Sequence, residues 1–154
     1  MKLATLVYVQ HAGKTLMVLR NKKKNDMHQN KWNTLKSKFE ASESPEECAI
    51  RETLEESGLT IRRPQLVGFI TFPAFDDIED WYVFVFTASE FSGDLIDSPE
   101  GDLAWIPDAE LLALNIWDGD RLFMPWLNDG RGFFSAKFIY DHGRFVSHTV
   151  ERYR

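Results

Sequence analysis

Glu52, Glu55 and Glu56 stand three and four residues apart or side by side, so on a helix turning about 100° per residue they share one side. Each like-charged pair at such spacing costs a few tenths of a kcal/mol, and a helix C-terminus disfavours negative charge as well. A divalent cation would remove both penalties. Clustered carboxylate oxygens suit Mg²⁺ or Mn²⁺, whereas the single cysteine, Cys48, and four histidines without ligand spacing offer no zinc set. Those histidines, His11, His28, His142 and His148, are expected at the surface. The competing reading of the three glutamates is a solvated acidic helix face.

The helix that would carry them is fully punctuated. Ser44 is an N-cap, Pro45 occupies the first turn, Glu47 completes a capping box with Ser44, and Gly58 ends the helix, so a span of Pro45 to Ser57 is predicted. Cys48, Ala49, Ile50 and Leu54 are its expected packing face. Leu3 to Val9 and Thr15 to Arg20 read as a hairpin around His11 to Lys14, and the polar stretch Asn21 to Lys31 reads as loop. Lys22 to Lys24 within it serve either as a solvated turn or as a phosphate clamp. Strands are predicted over Gln65 to Phe72, Trp81 to Thr87 and Leu103 to Ile106. A short helix is predicted from Pro107 to Leu114 and a second over Gly119 to Leu127, interrupted by Pro125. Phe133 to Tyr140 and Arg144 to Val150 form a closing hairpin. These elements predict a strand-rich α+β fold in one domain covering residues 1 to 154.

The chain has 154 residues, 44% of them apolar, enough for one substantial core. A net charge of −6 argues against a nucleic-acid polymer as partner and leaves room for a small polyanion bridged by metal. The amino-terminal residues alternate like a strand and show neither a signal-peptide apolar region nor a membrane span, so a cytoplasmic protein is expected. Oligomeric state is not legible.

From Ser37 to Leu59 the sequence resembles the Nudix box, G-x5-E-x7-R-E-U-x-E-E-x-G-U with U aliphatic: Glu43, Arg51, Glu52, Glu55, Glu56, Gly58 and Leu59 match in register. The resemblance implies a Nudix fold, a mixed sheet between helices (α/β/α), and a Mg²⁺-dependent hydrolase of nucleoside diphosphate bonds. It implies that Glu52, Glu55 and Glu56 hold the metal together with the backbone carbonyl of Ser37. Arg51 would orient the carboxylates and Glu43 would support the loop. Glu100 is either a further metal ligand or base, or a plain exposed turn.

Lys31-Trp32-Asn33, Phe69 to Phe72, Ile116 to Asp120 and Phe133 to Tyr140 resemble the MutT-type branch that hydrolyses 8-oxo-dGTP to the monophosphate and pyrophosphate. By that resemblance Asn33 and Asp120 read a purine, and Trp117 and Phe72 stack on it or are core aromatics. Lys23 and Lys38 complete the residues expected to touch the nucleotide. Gly119 stands where related enzymes carry a second acidic residue.

The loop before the helix departs from the pattern. Ser37 and Lys36 replace glycines, as do Asn30, Thr34 and Ser42, and Thr53 replaces an aliphatic residue whose place its hydroxyl would fill by bonding back to the helix. If these positions need φ > 0, each costs about 1–2 kcal/mol or shifts the loop. The alternative reading is therefore a nucleotide-binding module with weakened or silent catalysis.

Overall fold

The computed structural model describes residues 1–22 and 28–154. Two short strands open the chain, β1 (Lys2–His11) and β2 (Lys14–Leu19), joined by the expected turn and paired through Gln10 with Thr15 and His11 with Lys14. They then part, because β1 is wanted elsewhere. It pairs in parallel with β7 (Trp81–Ala88) on one side and antiparallel with β4 (Leu35–Lys38) on the other. β2 turns to β3 (Trp32–Asn33) and β9 (Asp102–Pro107). β6 (Gln65–Phe72) links β7 to β10 (Phe133–Asp141), and β11 (Arg144–Tyr153) closes the edge.

Among the described residues this makes a nine-stranded mixed sheet flanked by helices, with β5 (Thr60–Arg62) and β8 (Glu90–Ser92) as a separate two-stranded ribbon. The α+β class and mixed sheet agree with the sequence. β4 and the ribbon were not legible, for reasons of length and composition: LKSK alternates lysines and is four residues long.

β1 is buried on both faces. Its alternation sends Ala4, Leu6 and Tyr8 into a cluster with Ile70, Phe123, Phe134 and Phe138, and Val7 and Val9 into another with Leu16, Leu35, Ala49 and Phe86. The helix α1 (Pro45–Ser57) packs on the second. Its punctuation is as predicted: the Ser44 side chain accepts from Glu47 N, Glu47 accepts from Ser44 N, and Gly58 is left-handed at φ 85°. Of its expected packing face, Cys48 and Ala49 are fully buried and Ile50 packs against the core, but Leu54 is not part of it. Leu54 is 47% exposed and Thr53 is fully buried in the packing stripe with Ala49, Glu56 and Ser57, one position round the helix. Among the described residues the Thr53 hydroxyl has no hydrogen-bond partner, so it does not bond back to the helix; Ser57 Oγ donates to the Thr53 carbonyl instead.

Residues Asp108–Ala113 are 3₁₀ helix rather than α, and the second predicted helix is split into α2 (Asp118–Phe123) and a 3₁₀ turn, Met124–Asn128, where Pro125 removes a donor. Among the described residues no helix is long and apolar enough to cross a membrane.

Gly58 is the point where helix geometry meets a neighbouring loop. A Cβ there would lie 2.4 Å from the Asp94 carbonyl and 2.8 Å from Ile96 Cγ2. Gly58→Ala is expected to destabilise the fold by about 2 kcal/mol or more, combining the left-handed penalty with the clash. Urea unfolding measures this; a loss below about 0.5 kcal/mol would contradict the geometry.

Candidate active site

The strand β4 divides the site. Antiparallel pairing sets Ser37 opposite Thr5 and Lys36 opposite Leu6, so successive side chains face opposite sides of the sheet. Ser37 meets α1. Lys36 enters an aromatic cavity on the other face.

On the α1 side, Arg51 is the organiser. Its Nη2 donates to Glu43 Oε1 at 2.8 Å, its Nη1 reaches Glu55 Oε2 at 3.2 Å, and the same nitrogen pairs closely with Glu52 Oε1. Glu43 also accepts from Glu40 N at 2.8 Å, which ties the loop to the helix. The guanidinium holds the Glu43 carboxyl down at about 2. Burial does the opposite to Glu56, which is pushed up to about 8, with Glu100 and Glu52 adding repulsion.

Ser37 Oγ lies 2.7 Å from Glu52 Oε2 and 3.0 Å from Glu56 Oε1. One hydroxyl has one proton to give, so making both hydrogen bonds requires a proton on one of the two carboxyls, and burial favours Glu56 over Glu52 as its holder. The other Glu56 oxygen, Oε2, is buried and has no hydrogen-bond partner among the described residues. Glu100 lies on the loop facing this cluster, 3.6 Å from Arg20, which places it as a neighbour of Glu56.

Among the described residues, no three His, Cys, Asp or Glu side chains converge as they stand on a point that could hold a metal ion. The reason is local: Arg51 and Ser37 occupy both oxygens of Glu52, and Arg51 draws Glu55 outward to 57% side-chain exposure. The donor set nevertheless fits a hard divalent cation, since a buried orphan carboxylate oxygen sits among further carboxylates.

The replaced glycines fall into two groups. Lys36 and Ser37 lie in a strand and are not among the positive-φ residues, so neither carries the strain anticipated for a tight loop. Asn30 (φ 66°) and Ser42 (φ 68°) do adopt left-handed backbone. Thr34 is buried and gives its hydroxyl proton to the Val7 carbonyl.

The cavity on the far face, about 40 Å³ as it stands, brings together Asn33, Phe72, Trp117 and Asp120, four residues singled out in sequence. Lys38 is outside it, exposed with Nζ 5.5 Å from the Trp81 ring centre. Lys23 lies outside the described residues. Asp120 is pushed up to about 7 by burial, against the pull of Lys36 and Lys31. Gly119 N donates to Tyr140 Oη at 2.6 Å, and a Cβ on Gly119 would lie 2.6 Å from the same oxygen. The phenol thus fills the space that an acidic residue at this position would need.

Sequence reasoning missed His28, Lys36, Phe75, Trp81 and Tyr140 in this cavity. His28 is buried, not a surface residue: Trp117 Nε1 donates to its Nδ1 at 2.8 Å and Phe75 stacks at 6.0 Å. No local signal marks it, because its partners come from distant parts of the chain.

A profile of the NUDIX domain matches residues 2–127. The chain belongs to the Nudix family. Among its Nudix relatives, the oxidized purine nucleoside triphosphate hydrolase of Danio rerio is 30% identical over 150 residues, covering 97% of this chain and 94% of that protein. The enzyme of the same name from Mus musculus is 28% identical with the same coverage. The crystal structure of a MutT protein from Bacillus halodurans superposes with a TM-score of 0.86 at 27% identity, covering 98% of both chains.

Burial and the cations Lys36, Arg20 and Lys31 hold His28 neutral, lowering it from 6.5 to about 2. As pH falls below the ordinary value, the unfolded chain takes up the proton first, so this contribution to stability is lost progressively through the acid range. Asp120 acts oppositely, gaining stability as pH falls from about 7. His28→Gln isolates the first effect: its stability deficit relative to the wild type should shrink steadily below about pH 6.5 in urea unfolding. Parallel pH profiles would show that His28 is not the acid-labile group.

Proposed function

We propose that this chain is a Mg²⁺-dependent nucleoside triphosphate pyrophosphohydrolase acting on oxidised purine nucleotides such as 8-oxo-dGTP, its single domain spanning residues 1 to 154. The observation that carries the proposal is adjacency. The carboxylates of α1, with their buried orphan oxygen on Glu56, and the aromatic cavity holding Asn33 and Asp120 are joined by the single peptide link Lys36-Ser37. The names of the fish and mouse relatives, which match nearly the whole chain, support the same substrate class.

Glu52, Glu55, Glu56 and Glu100 with the Ser37 carbonyl would hold Mg²⁺, or Mn²⁺ in its place. When bound, the ion neutralises charge on the diphosphate oxygens and makes hydroxide available near neutral pH. Arg51 keeps Glu52 and Glu55 in register and stays charged because Glu43 and Glu52 bond to it. A carboxylate of this cluster takes the proton of the attacking water as its oxygen bonds to phosphorus and the P–O bond to the departing pyrophosphate breaks. Asn33 offers donor and acceptor to a purine edge, Asp120 shares a proton with the base, and Trp117 with Phe72 supply apolar faces.

Incubation with 8-oxo-dGTP or dGTP and Mg²⁺, followed by chromatography, should yield the monophosphate and pyrophosphate. Glu52→Gln should lower kcat about 10²- to 10⁴-fold with a smaller change in KM. Absence of metal-dependent products even at high enzyme concentration would refute the hydrolase reading.

The contacts of Ser37 with Glu52 and Glu56 favour a second reading, nucleotide binding with slow turnover, because they occupy oxygens a metal would need. Ser37→Gly removes the competing hydroxyl. A rise in kcat of about tenfold, roughly 1.4 kcal/mol of barrier, would support this reading, and an unchanged or lower kcat would dismiss it.

A further inference from the structure

The aromatic cavity is not the roomiest space beside the sheet. Next to it, between the turn ends of β1 and β2 and the two 3₁₀ segments Asp108–Ala113 and Met124–Asn128, lies a cleft of about 330 Å³, against about 40 Å³ for the cavity. The floor of the cleft is buried and apolar, built from Tyr8, Met124 and Leu127. Its rim is polar. Gln10 and Asn128 hold each other through paired amide contacts of 2.7 and 3.3 Å, and Thr15 Oγ1 donates to Asp108 Oδ1 at 2.7 Å, which fixes that carboxylate in place. Among the described residues that line the cleft, Asp108 is the one charged group, and no Lys, Arg or His joins it. A carboxylate or phosphate finds no counter-charge there. An ammonium group on an apolar body finds Asp108 at the rim and an apolar floor beneath.

Cleft and cavity share a wall. Tyr8 lines both, and the Phe123 ring of α2 meets it edge to face at 6.2 Å. α2 reaches from one to the other: Asp120 lines the cavity, and Met124, directly after the last helical residue, lines the cleft. At about 40 Å³ the cavity lies far below the roughly 300 Å³ at which small-molecule sites begin, so a purine enters only as a wall moves back. Behind Tyr8 and α2, the space for such a movement is the cleft.

We propose that this cleft binds a small organic amine with an apolar body, and that its occupation opposes entry of the purine by holding Tyr8 and α2 in place. The coupling rests on the nucleotide reading above, whereas the amine site stands independently of it. A ligand that favours the narrow cavity lowers nucleotide affinity, and the nucleotide lowers the affinity of that ligand by the same factor.

Phenethylamine and its neutral counterpart phenethyl alcohol serve as probes, titrated by NMR with the backbone amides of Leu111 and Met124 as reporters; dGMP without metal reports on the cavity. The amine should bind at least about threefold tighter than the alcohol. Asp108→Asn, which keeps an acceptor for Thr15, should abolish that preference. Glu110→Gln removes the same charge from a residue of the same 3₁₀ segment outside the lining and should leave the preference intact. Thermal melting verifies that both variants are folded. Saturating amine should weaken dGMP binding at least about fivefold in the wild type and in Glu110→Gln, and by less than about twofold in Asp108→Asn. Equal binding of amine and alcohol, or a preference that survives Asp108→Asn, would overturn the amine site. Amine binding that leaves dGMP affinity unchanged would overturn the coupling. Failure of dGMP to bind the amine-free protein would overturn the nucleotide reading and the coupling with it, while the comparison of amine with alcohol still decides the site.

Discussion

Glu56 places a carboxyl group in the interior of the sheet and helix interface, with one oxygen on Ser37 and the other unpaired among the described residues. A buried unpaired carboxylate is costly, and here the neighbours Glu52 and Glu100 raise the cost further. Without an ion, burial pushes the Glu56 carboxyl up to about 8, toward its neutral form, and Arg51 pairs with the outer carboxylates. The rest of the arrangement follows from that constraint: the capped helix that holds the glutamates in line, the loop tied down by Glu43, and the strand β4 that brings Ser37 into reach.

β4 also explains how two dissimilar environments share one site. A strand sends neighbouring side chains to opposite faces, so a single step along the chain passes from the carboxylates to the aromatic cavity. The cavity is walled by Phe72, Phe75, Trp117 and Tyr140, which contact one another edge to face or tilted. Two hydrogen bonds hold its wall in place: Gly119 N to Tyr140 Oη and Trp117 Nε1 to His28 Nδ1.

Much of this was legible in sequence where the determining interactions are local. Ser44, Pro45, Glu47 and Gly58 specify the helix within a few residues of themselves, and the boundaries follow. The strands β6, β7 and β10 are long apolar runs and read directly. Cys48, Ala49 and Ile50 pack as the helix face predicts, but Leu54 does not, because Glu56 and Ser57 turn inward and carry Thr53 with them. β4 was hidden because its lysines and serine serve the site, not the core. His28 was hidden because its burial depends on Trp117 and Phe75, contacts that no spacing within its own segment records. Asn33, Phe72, Trp117 and Asp120 came together as expected, while Lys38 did not join them.

The account stands or falls on whether the glutamate cluster binds a divalent cation through Glu56. Titration of the nucleotide-free protein with Mn²⁺, followed by electron paramagnetic resonance, counts bound ions directly. The account predicts bound Mn²⁺ in the wild type and an affinity at least about tenfold weaker in Glu56→Gln, a folded variant that keeps the side-chain shape. Equal Mn²⁺ affinity in the two proteins would contradict it.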